Sequence, residues 1–129
     1  MIYPEPIEKF MELERQISKE KGGFALFALF VDELMFDRWD LIVSAPWFSD
    51  DEGDTVDYFA EEIKSRLGLQ ELVSLSRIAV IKPADAASIT RKLQVEHGAI
   101  ELRDRTFFGV HVKLAFIITS QEIPTPVAA

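Results

Sequence analysis

The stretch FALFALFVDE, residues 24–33, decides the fold, because apolar side chains fill both of its alternating faces. Successive side chains of a strand point to opposite sides of the sheet. One side receives Phe24, Leu26, Ala28 and Phe30, and the other receives Ala25, Phe27, Leu29 and Val31. A strand that is apolar on both faces is buried on both, so this segment is predicted to be a central strand.

Further strands are predicted on either side of this segment along the chain. They are RWDLIVSAP at 38–46, SLSRIAVIKP at 74–83, AIELR at 99–103 and TFFGVHVKLAFIITS at 106–120. The link DELMFD is short enough for an antiparallel hairpin between the first two strands. We expect the strand at 74–83 to be buried. The last two strands form a hairpin that turns at Asp104–Arg105, with a bulge at Gly109.

Three segments have the apolar spacing of helices. Residues 5–20 repeat apolar side chains every three or four positions, and Gly22 and Gly23 end the pattern. Residues 54–67 follow the same spacing, with Asp54 as the expected N-cap. Residues 84–98 form the third predicted helix, which ends at Gly98.

The predicted fold is α+β, with a mixed or mainly antiparallel five-stranded sheet packed with three helices in the order α-β-β-α-β-α-β-β. Residues 1–121 are predicted to form a single globular domain, and 122–129 a mobile C-terminal tail. Strands that are apolar on both faces need helices on both sides of the sheet, or one helix layer and a partner subunit.

Composition limits the compartment and the chemistry. The 129 residues contain no Cys, which excludes a disulfide framework, a thiolate zinc site and a Cys nucleophile. No signal peptide is visible, and the longest apolar run, 23–31, is far shorter than the roughly 20 residues of a membrane helix. We therefore expect a cytoplasmic protein without a membrane segment.

Charge is distributed unevenly along the chain. Residues 1–62 carry 16 acidic and 5 basic side chains, a net charge of −11, whereas residues 63–129 carry 6 acidic and 9 basic side chains, a net charge of +3. The total of −8 disfavours general nucleic-acid binding, which requires a basic surface. We expect folding to interleave the two halves.

The segment APWFSDDEGDTVDYF, residues 45–59, places four carboxylates within six residues. Its main interpretation is a solvated loop that starts a helix, because carboxylates are stabilised near a helix N-terminus. The alternative is a metal site at Asp50, Asp51 and Asp54, completed by a carboxylate such as Asp40 or Glu101. The calcium-loop spacing is absent.

The other candidate binding residues are Trp47, His111, which is expected to face solvent or a groove, and a basic group on the last hairpin. Arg103, Arg105 and Lys113 form this group, and Arg91 and Lys92 can extend it. Trp47 follows a strand end, where an aromatic side chain can anchor a ligand or cap the core. The hairpin residues can form a patch or be ordinary solvated charges. His97 is expected at the C-terminus of the third helix, where the dipole favours a cation.

No catalytic motif is present, so the chain is expected to be a non-enzymatic interaction or regulatory module that needs no cofactor. The alternative is a small metal-dependent hydrolase or ligand-binding protein that uses residues 50–57. The apolar last strand is a possible sheet edge, and such edges must be covered or paired. We therefore predict a homodimer with the 99–119 hairpin at or near its interface, disrupted by Ala115→Asp or Ile117→Asp. A different protein partner is also possible.

Overall fold

The computed structural model of this protein describes residues 5–31 and 38–122. The helices are α1 Glu5–Lys21, α2 Glu52–Arg66, α3 Leu69–Val73 and α4 Pro83–Thr90. The strands are β1 Leu26–Val31, β2 Trp39–Ser44, β3 Leu75–Val80, β4 Ile100–Phe107 and β5 Val110–Ser120. The α+β class and the order of elements are as predicted, with the short helix α3 in addition.

The five strands form one mixed sheet in the order β3-β2-β1-β5-β4. β1 is the central strand, as its two apolar faces indicate, and it pairs antiparallel with both β2 and β5. β3 runs parallel to β2, and β4 runs antiparallel to β5. The prediction that the last strand is a sheet edge is wrong, because β5 lies between β1 and β4. The edges are β4 and β3, and β3 is only partly buried.

One face of the sheet is covered by α1 and α2. Phe27 and Leu29 of β1 are fully buried on this side, where they meet Phe10 of α1 and Phe59 of α2 in one apolar cluster. Phe24 also lies on this side and not with Leu26 as the alternation predicted, because it precedes β1. It contacts Phe27 edge-to-face, with ring centroids 5.0 Å apart. The helical spacing of α1 therefore places its apolar stripe on the sheet.

The opposite face is covered by the short helix α4, the segment that follows it and the tip of the β4–β5 hairpin. Ala86 and Ile89 of α4 pack with Ala115 and Ile117 of β5, all of them buried. Asp at either β5 position would disrupt the fold of the monomer itself. The predicted use of Ala115→Asp and Ile117→Asp to dissociate a dimer is therefore unsuitable.

Two helix boundaries differ from the predictions. α2 begins at Glu52 with Asp51 as its N-cap, because the Asp51 carboxylate accepts the Asp54 amide at 3.3 Å. α4 ends at Thr90 rather than at residue 98. The chain beyond it leaves the helix because Val95 exchanges two backbone hydrogen bonds with Ser120, at 2.9 and 2.8 Å.

The terminal hairpin turns at Phe108–Gly109, not at Asp104–Arg105. Both turn residues have positive φ, 54° at Phe108 and 77° at Gly109, as a two-residue type I′ turn requires. Gly109 therefore belongs to the turn and not to a bulge. The irregularity in β5 lies further along, where its register against β1 shifts between Phe27 and Ala28.

Two predictions fall on residues that the structure does not describe. They are the β1–β2 link at 32–37 and, apart from residue 122, the C-terminal tail. Among the residues that the structure does describe, no helix is both long and apolar enough to cross a bilayer.

Candidate functional site

A cleft of about 710 Å³ opens beyond the carboxyl ends of the parallel strands β2 and β3. The chain leaves β2 to form α2 on one face of the sheet, and it leaves β3 to form α4 on the other face. Adjacent parallel strands whose helices diverge in this way create a crevice where α/β proteins commonly bind ligands. Segments 45–52 and 80–84 supply the walls.

The acidic segment lies at this cleft but does not gather its carboxylates. Asp50 and Glu52 line the cleft, Asp51 caps α2, and Asp54 lines a separate groove. Within residues 5–31 and 38–122, no group of three His, Asp or Glu side chains is placed to hold a metal ion. The structure thus gives the segment a role at the start of a helix.

The two outside carboxylates suggested for the metal site have basic neighbours. Asp40 pairs with Arg77 at 3.4 Å, and Glu101 pairs with Arg103 at 3.3 Å. Both contacts join groups of opposite charge near the protein surface.

Trp47 fastens the loop after β2 to the end of α1. Its indole Nε1 donates hydrogen bonds to the carbonyl oxygens of Gly22, at 3.0 Å, and Gly23, at 3.2 Å. Its ring contacts Phe24 and Phe48 edge-to-face. Of the two roles considered for Trp47, these contacts support a cap on the core.

The groove beside Trp47 also includes Tyr58 and Lys21, whose ammonium lies 5.7 Å from the Tyr58 ring centroid. Burial raises the pKa of the Tyr58 hydroxyl, and the nearby charge of Glu62 adds to the effect. The tyrosine therefore stays neutral across the physiological range of pH.

The four basic candidates on the terminal hairpin are all exposed, and acidic side chains lie among them. Arg103 binds Glu101, and the imidazole Nε2 of His111 lies 3.5 Å from an Asp104 carboxylate oxygen. Arg105 is in β4 and Lys113 is in β5. The hairpin therefore presents alternating charges rather than a uniformly basic patch.

The tip of this hairpin folds over the second face of the sheet. The Phe107 ring stacks on Phe30, with centroids 4.9 Å apart and planes 22° from parallel. A cleft of about 330 Å³ lies beside this stack, with His111, Asp40 and Arg77 among its lining residues. The hairpin tip thus closes the part of the sheet that α4 leaves uncovered.

One polar pair that the sequence did not reveal joins Glu14 and His97. Glu14 lies in the apolar stripe of α1 and is fully buried. Its Oε1 is 2.8 Å from Nδ1 of His97, and its Oε2 accepts a 2.7 Å hydrogen bond from the Ser18 hydroxyl. A carboxylate within a helix's apolar stripe was the available signal, because a buried charge needs a partner.

His97 is held in place by the end of β5. Its backbone N–H donates to the Thr119 hydroxyl at 3.3 Å, and the Gly98 N–H donates to the Ile118 carbonyl at 3.0 Å. His97 itself has a left-handed φ of 49°. The expectation of a helix C-terminal position is wrong, because α4 has ended seven residues earlier.

A cleft of about 570 Å³ lies beside this histidine. Its lining residues are Arg15, Ser18, Lys19, Gly23, Glu96, His97 and Gln121. The His97 side chain is 38% exposed, whereas the Glu14 side chain behind it is inaccessible. The ring is therefore held from behind through Nδ1 and reaches the cleft with its other edge.

Comparison with known proteins identified no relative: no family model, no curated protein and no solved structure matches this chain.

Proposed function

We propose that this protein is a non-enzymatic interaction module that self-associates as a homodimer through the outer edge of β4. The observation that carries the proposal is the charge sequence along this edge strand, which is complementary to itself in an antiparallel pairing. The protein needs no cofactor for this role.

The edge is long and little covered. β4 spans eight residues at one end of the sheet, and six of them are exposed. Ile100 is an exposed apolar side chain on this strand. Leu102 is partly buried against the apolar cluster on the α4 face of the sheet. A strand edge of this kind offers unpaired backbone groups to another strand, which proteins otherwise avoid by covering or charging it.

The charges on β4 favour one register over its neighbours. If two copies pair antiparallel around Leu102, Glu101 of each copy faces Arg103 of the other, and the two Leu102 side chains meet. A pairing centred on Glu101, Arg103 or Asp104 would place identical charges opposite each other. Opposite charges across a strand pair stabilise it and like charges destabilise it, so the charges select the pairing at Leu102.

The other edge of the sheet is less suited to pairing. β3 has only six residues, and α3 packs against α2 and β3 at this side. Its single charged residue, Arg77, is paired with Asp40 inside the chain. β3 therefore has no self-complementary charges with which to set a register.

Sedimentation equilibrium of charge variants tests this assignment. We expect the wild-type chain to dimerise at micromolar concentration, and Glu101→Arg or Arg103→Glu to weaken the dimer because each places like charges across the interface. The double variant Glu101→Arg/Arg103→Glu should restore it, since the complementary pairs are rebuilt with reversed sign. Lys64→Glu, at an exposed position on α2, is the matched control.

A monomer at every concentration, in low salt, would refute self-association. The β4 interface would be refuted if both single variants still dimerise, or if the double variant does not restore the dimer. The protein would then associate through another surface.

A further inference from the structure

The dimer proposal does not use the contact between Glu14 and His97. A fully buried carboxylate is costly unless it is paired and hydrogen-bonded. Here Ser18 and His97 contact the Glu14 carboxylate, and both of these residues line the same cleft. The partly exposed edge of the imidazole is left to contact a ligand.

The protonation state of the ring decides its chemistry. When Nδ1 carries a proton, it donates a hydrogen bond to the Glu14 carboxylate 2.8 Å away, and Nε2 is the ring nitrogen left for a ligand. With a proton on each nitrogen, the ring donates to Glu14 through Nδ1 and can donate to a ligand in the cleft through Nε2. A His in this position therefore links the buried anion to a second anion outside.

The charged side chains around the cleft favour such an anion. Arg15 and Lys19 are one helical turn apart on α1, and both line the cleft with His97. The Arg15 guanidinium donates one hydrogen bond to the His97 carbonyl at 3.2 Å, which holds it beside the ring and leaves further donors. Glu96 is the opposing acidic group in the lining.

We propose that the His97 cleft binds an oxyanion, the phosphate or carboxylate group of a small ligand. The imidazolium Nε2–H, the Arg15 guanidinium and the Lys19 ammonium are its donors, and Glu14 is a positioning residue that fixes the ring. Charge-assisted hydrogen bonds from several cations are the usual means of holding such groups.

Imidazole ¹H–¹⁵N spectra of the full chain report directly on this binding. Sulfate is the first probe because it remains a dianion throughout the pH range of such an experiment. We expect sulfate to shift the His97 signals saturably. His111 is the internal control, since it is exposed beside Asp104.

Variants separate binding from folding. Lys19→Gln changes an exposed side chain and should reduce sulfate affinity several-fold, whereas Lys64→Gln on α2 should not. Glu14→Gln should also reduce the affinity for sulfate. If Glu14→Gln destabilises the fold, the comparison of Lys19→Gln with Lys64→Gln still tests the proposal. Phosphate and acetate, compared at one pH, then show whether the cleft prefers a phosphate or a carboxylate group.

Sulfate shifts at His97 that are no larger than those at His111 would overturn the proposal. Equal affinities of Lys19→Gln and Lys64→Gln would also overturn it. In either case the Glu14–His97 pair would serve only to fasten residues 95–98 to α1. Neither result affects the dimer proposal, because Glu101 and Arg103 lie outside this cleft.

Discussion

The carboxylate of Asp51 accepts the backbone N–H of Asp54 at 3.3 Å, so the first of these two acidic residues caps α2 and the second lies inside it. Asp51→Ala should lower the free energy of unfolding by roughly 0.5–2 kcal/mol, because a helix-terminal amide loses its acceptor. Asp54→Ala should change it by less than about 0.5 kcal/mol. Urea denaturation of both variants measures the difference, and a larger loss at Asp54 would contradict the assigned cap.

Leu29 is fully buried at the centre of the sheet, where it pairs with Leu41 of β2 and Phe116 of β5. Leu29→Ala should destabilise the protein by about 2–5 kcal/mol, because it removes buried apolar surface and leaves a cavity. Leu69→Ala is the control, since Leu69 is 60% exposed. Chemical denaturation gives both values, and similar losses at the two positions would be inconsistent with the described core.

Phe108 adopts a left-handed φ of 54° in the β4–β5 turn, a conformation that suits Asn or Gly better than an aromatic residue. Phe108→Asn should raise the free energy of unfolding by about 0.5–1 kcal/mol, since Asn tolerates this backbone region. Phe107→Ala, by contrast, should destabilise the fold because it removes the ring stacked on Phe30. Thermal unfolding compares them, and a lower melting temperature for Phe108→Asn would argue against the turn.

Glu71 on α3 makes the fold sensitive to acid. A hydrogen bond from the Lys9 ammonium holds the pKa of the Glu71 carboxyl below its ordinary value of 4.5. The folded state therefore binds the proton more weakly than the unfolded state. The resulting stabilisation is complete above pH 4.5 and is lost as the pH falls through the lower folded pKa.

Glu71→Gln should remove this component of the acid sensitivity. The measurement is the denaturation midpoint of both proteins from neutral pH down to the acid range. Glu61→Gln, at an exposed position on α2, controls for loss of a surface carboxylate. Identical pH profiles for the wild type and Glu71→Gln would show that the Lys9 contact contributes nothing in solution.

Local patterns in the sequence predicted most elements of the fold. The two apolar faces of residues 24–31 identified the central strand, because side chains alternate in any extended chain. Helical spacing likewise identified α1 and α2. Helix and turn boundaries were predicted less accurately, because contacts between distant residues compete with local preferences. α4 ends before the predicted residue 98, because Val95 pairs with Ser120. The hairpin turn lies at Phe108–Gly109 and not at the predicted Asp104–Arg105 for a similar reason, since the pairing of β4 with β5 sets the position of the turn.

The candidate sites depended more on contacts between distant residues. The sequence placed Arg103, Arg105, His111 and Lys113 on one hairpin, but only the sheet order made β4 the open edge and enclosed β5. The partnership of Glu14 with His97 joins residues 83 positions apart and needs α1 to lie against the segment that follows α4. Periodicity fixes which way a side chain points relative to its own backbone, whereas packing of the whole chain decides what it meets there.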